Sequence, residues 1–144
     1  MQPMLLWLDN MNGASNSTTR LRISSFIPAM IWWITTFWLL TLPGSKVPAY
    51  PWMENLAVDK WAHVFIFTVF CIAFYWPFKK TTISRPTRIR WFLVIALLGC
   101  GYGIAMEFVQ KYYVVNRAFE LGDILADAIG CGVGWWWGRK YALL

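Results

Sequence analysis

The stretch from Ile23 to Leu42 runs for twenty residues without a charge. A helix rises about 1.5 Å per residue, so this length covers roughly 30 Å, the thickness of a bilayer's hydrocarbon core. Backbone polar groups in lipid must be satisfied within the chain, and a helix does so segment by segment. Three further apolar stretches follow, at about 61–78, 91–109 and 121–138. The sequence therefore predicts an all-α integral membrane protein with four transmembrane helices.

Composition agrees. Hydrophobic residues make up 58% of the 144 and charged residues only 14%, against roughly 45 to 50% and 25% in a soluble domain. Mean hydropathy is +0.46. One membrane domain, 23–144, follows a polar N-terminal segment, 1–22. That segment lacks the basic-then-apolar order of a cleaved leader, so no signal peptide is expected. Leu42-Pro43-Gly44 stops the first span, and Pro48, Tyr50, Pro51 and Trp52 suit an interfacial loop. Trp135-Trp136-Trp137 before Arg139 and Lys140 reads as the exit of the last span.

The net charge of +6 is concentrated, with Lys79, Lys80, Arg85, Arg88 and Arg90 in one short connection. Basic residues hold short loops in the cytoplasm and meet anionic headgroups there. A nucleic-acid partner is not expected, since its basic footprint should run along a soluble fold. Arg20, Arg22, these five, Arg139 and Lys140 outweigh Lys46, Lys60, Lys111 and Arg117 on the other side. Both termini are thus predicted cytoplasmic, and the sequon Asn16-Ser17-Thr18 unmodified. Cys71, Cys100 and Cys131 lie in apolar stretches without CxxC spacing, which argues against a disulfide framework or a zinc site.

In the fourth span, Gly122, Ala126, Gly130, Gly134 and Gly138 recur every four residues and draw a ridge of small side chains along one face. Ala96, Gly99 and Gly103 offer a matching surface in the third. An antiparallel hairpin of these two spans, packed through small residues, is predicted.

The polar residues converge. Lys60 and His63 are three apart, Glu107 and Gln110 three apart, and Asp123 and Asp127 four apart, so each pair shares a helix face. All three pairs fall at the predicted outer end. Asp127 lies about 9 Å into its helix, where a carboxylate costs up to about 3 kcal/mol unless paired, hydrated or protonated. Lys60, His63 and Arg117 are its candidate partners. The expected ligand-binding pocket is Lys60, His63, Glu107, Gln110, Arg117, Asp123 and Asp127, with His63, Glu107, Asp123 and Asp127 as candidate catalytic groups. Structural readings compete: Asp59 and Lys60 as a helix cap with a snorkelling lysine, Glu107 paired with Lys111, and His63 as a packed histidine.

Taken in order, the chain resembles the VanZ-like family, named for a teicoplanin-resistance protein and found mainly in bacteria. The resemblance rests on Asp59-Lys60-x-x-His63-x-x-x-Phe67, Glu107-x-x-Gln110, Arg117, and Asp123-x-x-x-Asp127-x-x-Gly130-x-x-x-Gly134. It covers residues 59–134 and departs at Asp127, where the family often carries Asn. It implies a multi-pass protein of the bacterial cytoplasmic membrane, some members of which lower susceptibility to lipoglycopeptide antibiotics.

The favoured expectation is non-enzymatic binding of an anionic lipid or lipid-linked envelope precursor in the outer leaflet, with no cofactor and with a second copy of the chain as a further candidate partner. The first alternative is a membrane enzyme acting on such a lipid, with His63 as acid or base or with His63, Glu107, Asp123 and Asp127 holding a divalent metal. A proton-coupled carrier is the second. The absence of an internal repeat and of a cytoplasmic-side acid weighs against it.

Overall fold

The computed structural model describes residues 21–46, 50 and 57–141. The N-terminal segment to residue 20, with its sequon, and most of the proline-rich connection lie outside the described residues. Among the described residues are four α-helices: α1 (Ile27–Leu40), α2 (Val58–Tyr75), α3 (Arg85–Tyr113) and α4 (Leu121–Tyr141). A 3-10 turn, Ile23–Phe26, leads into α1, and another, Trp76–Lys80, extends α2. No strand occurs among the described residues.

Among the described residues three helical stretches, Ile23–Leu40, Val58–Lys79 and Arg85–Tyr113, are long and apolar enough to cross a membrane. α4 has 21 residues, enough for about 31 Å, but carries Asp123, Asp127, Arg139 and Lys140. Ile34, Phe65, Leu98 and Leu125 are each more than 60% exposed. A soluble monomer rarely leaves so much apolar surface in water, whereas lipid covers it at no cost.

α3 begins six residues before the predicted span. Pro86 sits in its first turn, where a missing N–H costs nothing. A helix need not end where the lipid does, so Arg85, Arg88 and Arg90 are helical rather than part of a loop.

The helices alternate in direction. At one end, Gln110 Nε2 in α3 donates to the Leu40 carbonyl at the end of α1 over 2.9 Å, meeting one of the carbonyls a helix terminus leaves free. There too the Gly44 N–H reaches the Val115 carbonyl at 3.2 Å and joins the two connections. Any side chain on Gly44 would strike the Asn116 carbonyl, and Asn116 itself has φ 58°, a left-handed backbone that Asn tolerates. At the opposite end Phe26 packs on Phe74 and Phe78, and Tyr75 Oη donates to the Phe92 carbonyl at 2.9 Å. Between them Phe67, Phe70 and Tyr102 fill the middle, and Trp32 Nε1 fixes α1 to the Ile66 carbonyl of α2 at 3.1 Å.

The hairpin of α3 and α4 is present, but the glycine ridge does not make it. Gly122, Gly130, Gly134 and Gly138 face α2: a Cβ on Gly130 would come 2.5 Å from the Val64 carbonyl, and one on Gly134 2.6 Å from Cys71 Cβ. Gly122 lies under the Lys60 tail and Gly138 under the Tyr75 ring. Thr68 Oγ1 marks the crossing by donating to both Val64 O, at 2.7 Å, and Gly130 O, at 3.1 Å. The hairpin instead pairs glycines of α3 with side chains of α4, Gly99 against Cys131 and Gly103 against Asp127. Small-residue spacing identifies a face but not its partner. All three cysteines are free.

Replacing Gly130 or Gly134 by Ala forces backbone apart and is expected to cost about 1–3 kcal/mol. Gly101→Ala and Gly132→Ala, which meet nothing within 4 Å, should leave stability unchanged or slightly raised. Thermal unfolding of the purified variants in detergent checks the contrast.

Candidate functional site

The start of α2, the end of α3 and the start of α4, with Glu120 just before it, bring seven acidic and basic side chains together. Lys60 Nζ donates to Asp59 Oδ2 at 2.8 Å, Glu120 Oε2 at 2.7 Å and Asp123 Oδ1 at 2.6 Å. Its three ammonium hydrogens match three carboxylates. One turn deeper, His63 Nδ1 and Asp127 Oδ1 share a hydrogen bond of 2.8 Å. With Asp127 ionised its carboxylate only accepts, so Nδ1 then carries the proton and Nε2 is left for other work. Nε2 lies 3.7 Å from Asp123 Oδ2. Asp123 therefore joins the two layers, with one oxygen on Lys60 and the other beside His63.

His63, Glu107, Asp123 and Asp127 are each at most 4% exposed. Burying ions is costly unless each is paired, and most of these are. Glu107 Oε2 accepts the Glu120 backbone N–H at 2.9 Å, just before the first turn of α4. Asp127 Oδ2 is buried without a hydrogen-bond partner among the described residues. It sits where a side chain on Gly103 would be, with a Cβ there only 2.5 Å away, so that glycine leaves room for the aspartate.

Two expected contacts differ. Asp127 pairs with His63 and not with Lys60 or Arg117. Glu107 does not pair with Lys111, whose Nζ lies over the Tyr112 and Phe119 rings. Gln110 is 1% exposed with its amide nitrogen spent on α1, a tie between helices. Arg117 lies in the connection after α3; among the described residues its Nε, which is buried, has no hydrogen-bond partner and no carboxylate pairs with it. Glu120 was missed by spacing alone. Its signal is its place three residues before Asp123, next to the first turn of α4.

Donor atoms of His63, Glu107 and Asp123 lie within 4.8 Å of one another. A divalent ion bound at about 2.0–2.6 Å from each spans such a gap. A histidine ligand characteristically gives its other N–H to a carboxylate, as His63 does to Asp127. Asp59, Glu120 and Asp123 form a second such group, but Lys60 already supplies their positive charge. The residues thus suit one small cation, or proton transfer at His63 Nε2.

Fold and site define a multi-pass membrane protein with a buried ionic cluster at one end of a helical bundle. The chain belongs to the VanZ/LLP1 family, which it matches over residues 4–140, the first helix included. It is also 36% identical, over 86 residues, to an uncharacterized protein of the fission yeast Schizosaccharomyces pombe. That alignment covers 60% of this chain and 48% of the yeast protein, so the chain spans about half the length of the curated relative it matches. No solved structure matches significantly.

A double-mutant cycle checks the buried pair. His63→Ala and Asp127→Ala are each expected to destabilise the detergent-solubilised protein by about 1–3 kcal/mol, and the double variant by less than their sum, because the second change removes a group already left unpaired. Asp59→Ala, at an exposed side chain, should stay within about 0.5 kcal/mol.

Proposed function

We propose that this is a membrane enzyme which takes the phosphate-bearing headgroup of a lipid or lipid-linked envelope precursor into the Lys60–His63–Asp127 pocket and acts on it by acid–base chemistry. In this reading all four helices cross the bilayer, both termini are cytoplasmic, and the pocket opens to the outer leaflet. The supporting observation is His63, held at Nδ1 by Asp127 and presenting Nε2 to Asp123, with a Glu107 oxygen within 4.8 Å of donor atoms of both His63 and Asp123. A merely packed histidine needs no carboxylate on each ring nitrogen and a third close by.

Charge favours this over simple capture of an anion by Lys60. That lysine is already matched by three carboxylates, so a bare phosphate would displace one or meet repulsion. A divalent cation held by His63, Glu107 and Asp123 would give the phosphate a positive partner and polarise it, while a carboxylate took the proton of the water attacking phosphorus and returned it to the ester oxygen that leaves; without a cation, His63 Nε2 would carry that proton. Arg117, with no carboxylate of its own among the described residues, would orient the headgroup.

Arg117 also favours a second reading, in which the pocket binds the headgroup without reacting and alters glycopeptide or lipoglycopeptide susceptibility by holding a precursor. A relative in fission yeast weighs toward a lipid common to bacterial and eukaryotic membranes. The bacterial cytoplasmic membrane is the proposed location.

Protein in phosphatidylcholine nanodiscs, given phosphatidic acid or a polyprenyl phosphate with magnesium or zinc, should release inorganic phosphate. His63→Ala and Asp127→Ala should each slow release by about 10²–10⁴-fold. No turnover, with lipid binding lost in Arg117→Ala, would leave the binding reading standing. Neither turnover nor binding would overturn both.

A further inference from the structure

The bundle separates its charges. Every described acid, Asp59, Glu107, Glu120, Asp123 and Asp127, belongs to the His63 end. At the other end the described side chains that carry charge are all cations. Three of them sit over indole rings, Lys79 on Trp76, Arg139 on Trp135 and Lys140 on Trp136.

That end contains a cavity of about 50 Å³, where the end of α2, the turn after it, the start of α3 and the end of α4 meet. Tyr75, Trp76, Phe92 and Trp137 wall it, and Lys79 and Arg88 bring charge to it. A single water needs about 10–15 Å³ by this measure, so the space admits a group of several heavy atoms. The Tyr75 hydroxyl is already spent on the Phe92 carbonyl. Arg88 is not: Nη2 reaches the Ile83 carbonyl at 3.2 Å, while Nε is buried with no hydrogen-bond partner among the described residues. A guanidinium held this way retains donors suited to two oxygens of one anion.

We infer that this cavity is a second ligand site, distinct from the His63 pocket, that binds one phosphate group through Arg88 and Lys79. An anionic phospholipid in the leaflet at the basic end is its source. The indoles of Trp76 and Trp137 stand where such rings settle, between headgroup and acyl region, and basic pockets between transmembrane helices are suited to anionic headgroups. The site works without the acid–base reading of the other pocket, because no residue is shared.

Native mass spectrometry of protein released from mixed phosphatidylglycerol and phosphatidylcholine nanodiscs tests it. One phosphatidylglycerol per chain should be retained, and Lys79→Gln and Arg88→Gln should each lower retention by about tenfold, the worth of one charge-assisted hydrogen bond. Lys111→Gln, the same charge change at the far end, should leave it unaltered. Dialysis of labelled inorganic phosphate against protein in pure phosphatidylcholine nanodiscs separates the sources. Saturable phosphate binding with the same dependence on Arg88 and Lys79, without phosphatidylglycerol preference, keeps the site and makes its ligand the free ion. Undiminished anion binding in both variants, or no preference for phosphatidylglycerol together with no phosphate binding, overturns the proposal. Lys79 is exposed, so its variant remains informative if Arg88→Gln folds poorly.

Discussion

The approach of α2 to α4 is the constraint on which the other arrangements depend. Gly130 and Gly134 bring the α4 backbone against Val64, Phe67, Thr68 and Cys71. Water does not drive helices together in lipid, so this contact rests on close packing and on the Thr68 hydroxyl shared between the two backbones. It is also what allows short side chains to meet. His63 reaches Asp127 at 2.8 Å because no larger residue holds the helices apart below them.

Ionic groups are then stacked on that contact in layers. Lys60 closes the outermost layer with three carboxylates, Asp123 links it to the next, and the His63–Asp127 pair lies deepest. Each layer is less accessible than the one above, and its partners become correspondingly less replaceable. Asp59 can turn to solvent if Lys60 is lost, but Asp127 has only His63 to answer its charge among the described residues. Asn at this position could still accept from Nδ1, with less hold on an imidazolium or on a ligand bound at Nε2.

Much of this was legible in the chain. Charge-free length located the helices, and spacing by three or four put Lys60 with His63 and Asp123 with Asp127 on shared faces. Membrane depth singled out Asp127 as a residue needing a partner. Pairing was less accessible, because it depends on how three helices rotate about their axes. Periodicity leaves that angle open: spacing alone matches the glycine ridge to α3, whereas it serves α2, and offers Asp127 three cations, of which it takes one. Gln110 shows the same limit: its spacing from Glu107 suggested the pocket, while its amide nitrogen closes a free carbonyl of α1. Hydropathy places Arg85 to Arg90 in a connection because it marks where lipid ends, and helix geometry is indifferent to that boundary.

The length of α3 has its own consequence. Its 29 residues extend about 43 Å, and the average tilt of about 20° shortens this only to about 40 Å across a core near 30 Å. About 10 Å must stand in the two headgroup layers, with arginines at one end and Lys111, Tyr112 and Tyr113 at the other. Both ends resist being drawn into hydrocarbon, so α3 acts as a depth gauge that holds the bundle at a fixed height. Bilayers that are too thick or too thin carry a mismatch penalty of fractions of a kcal/mol per Å, which biases the protein toward membranes of matching thickness.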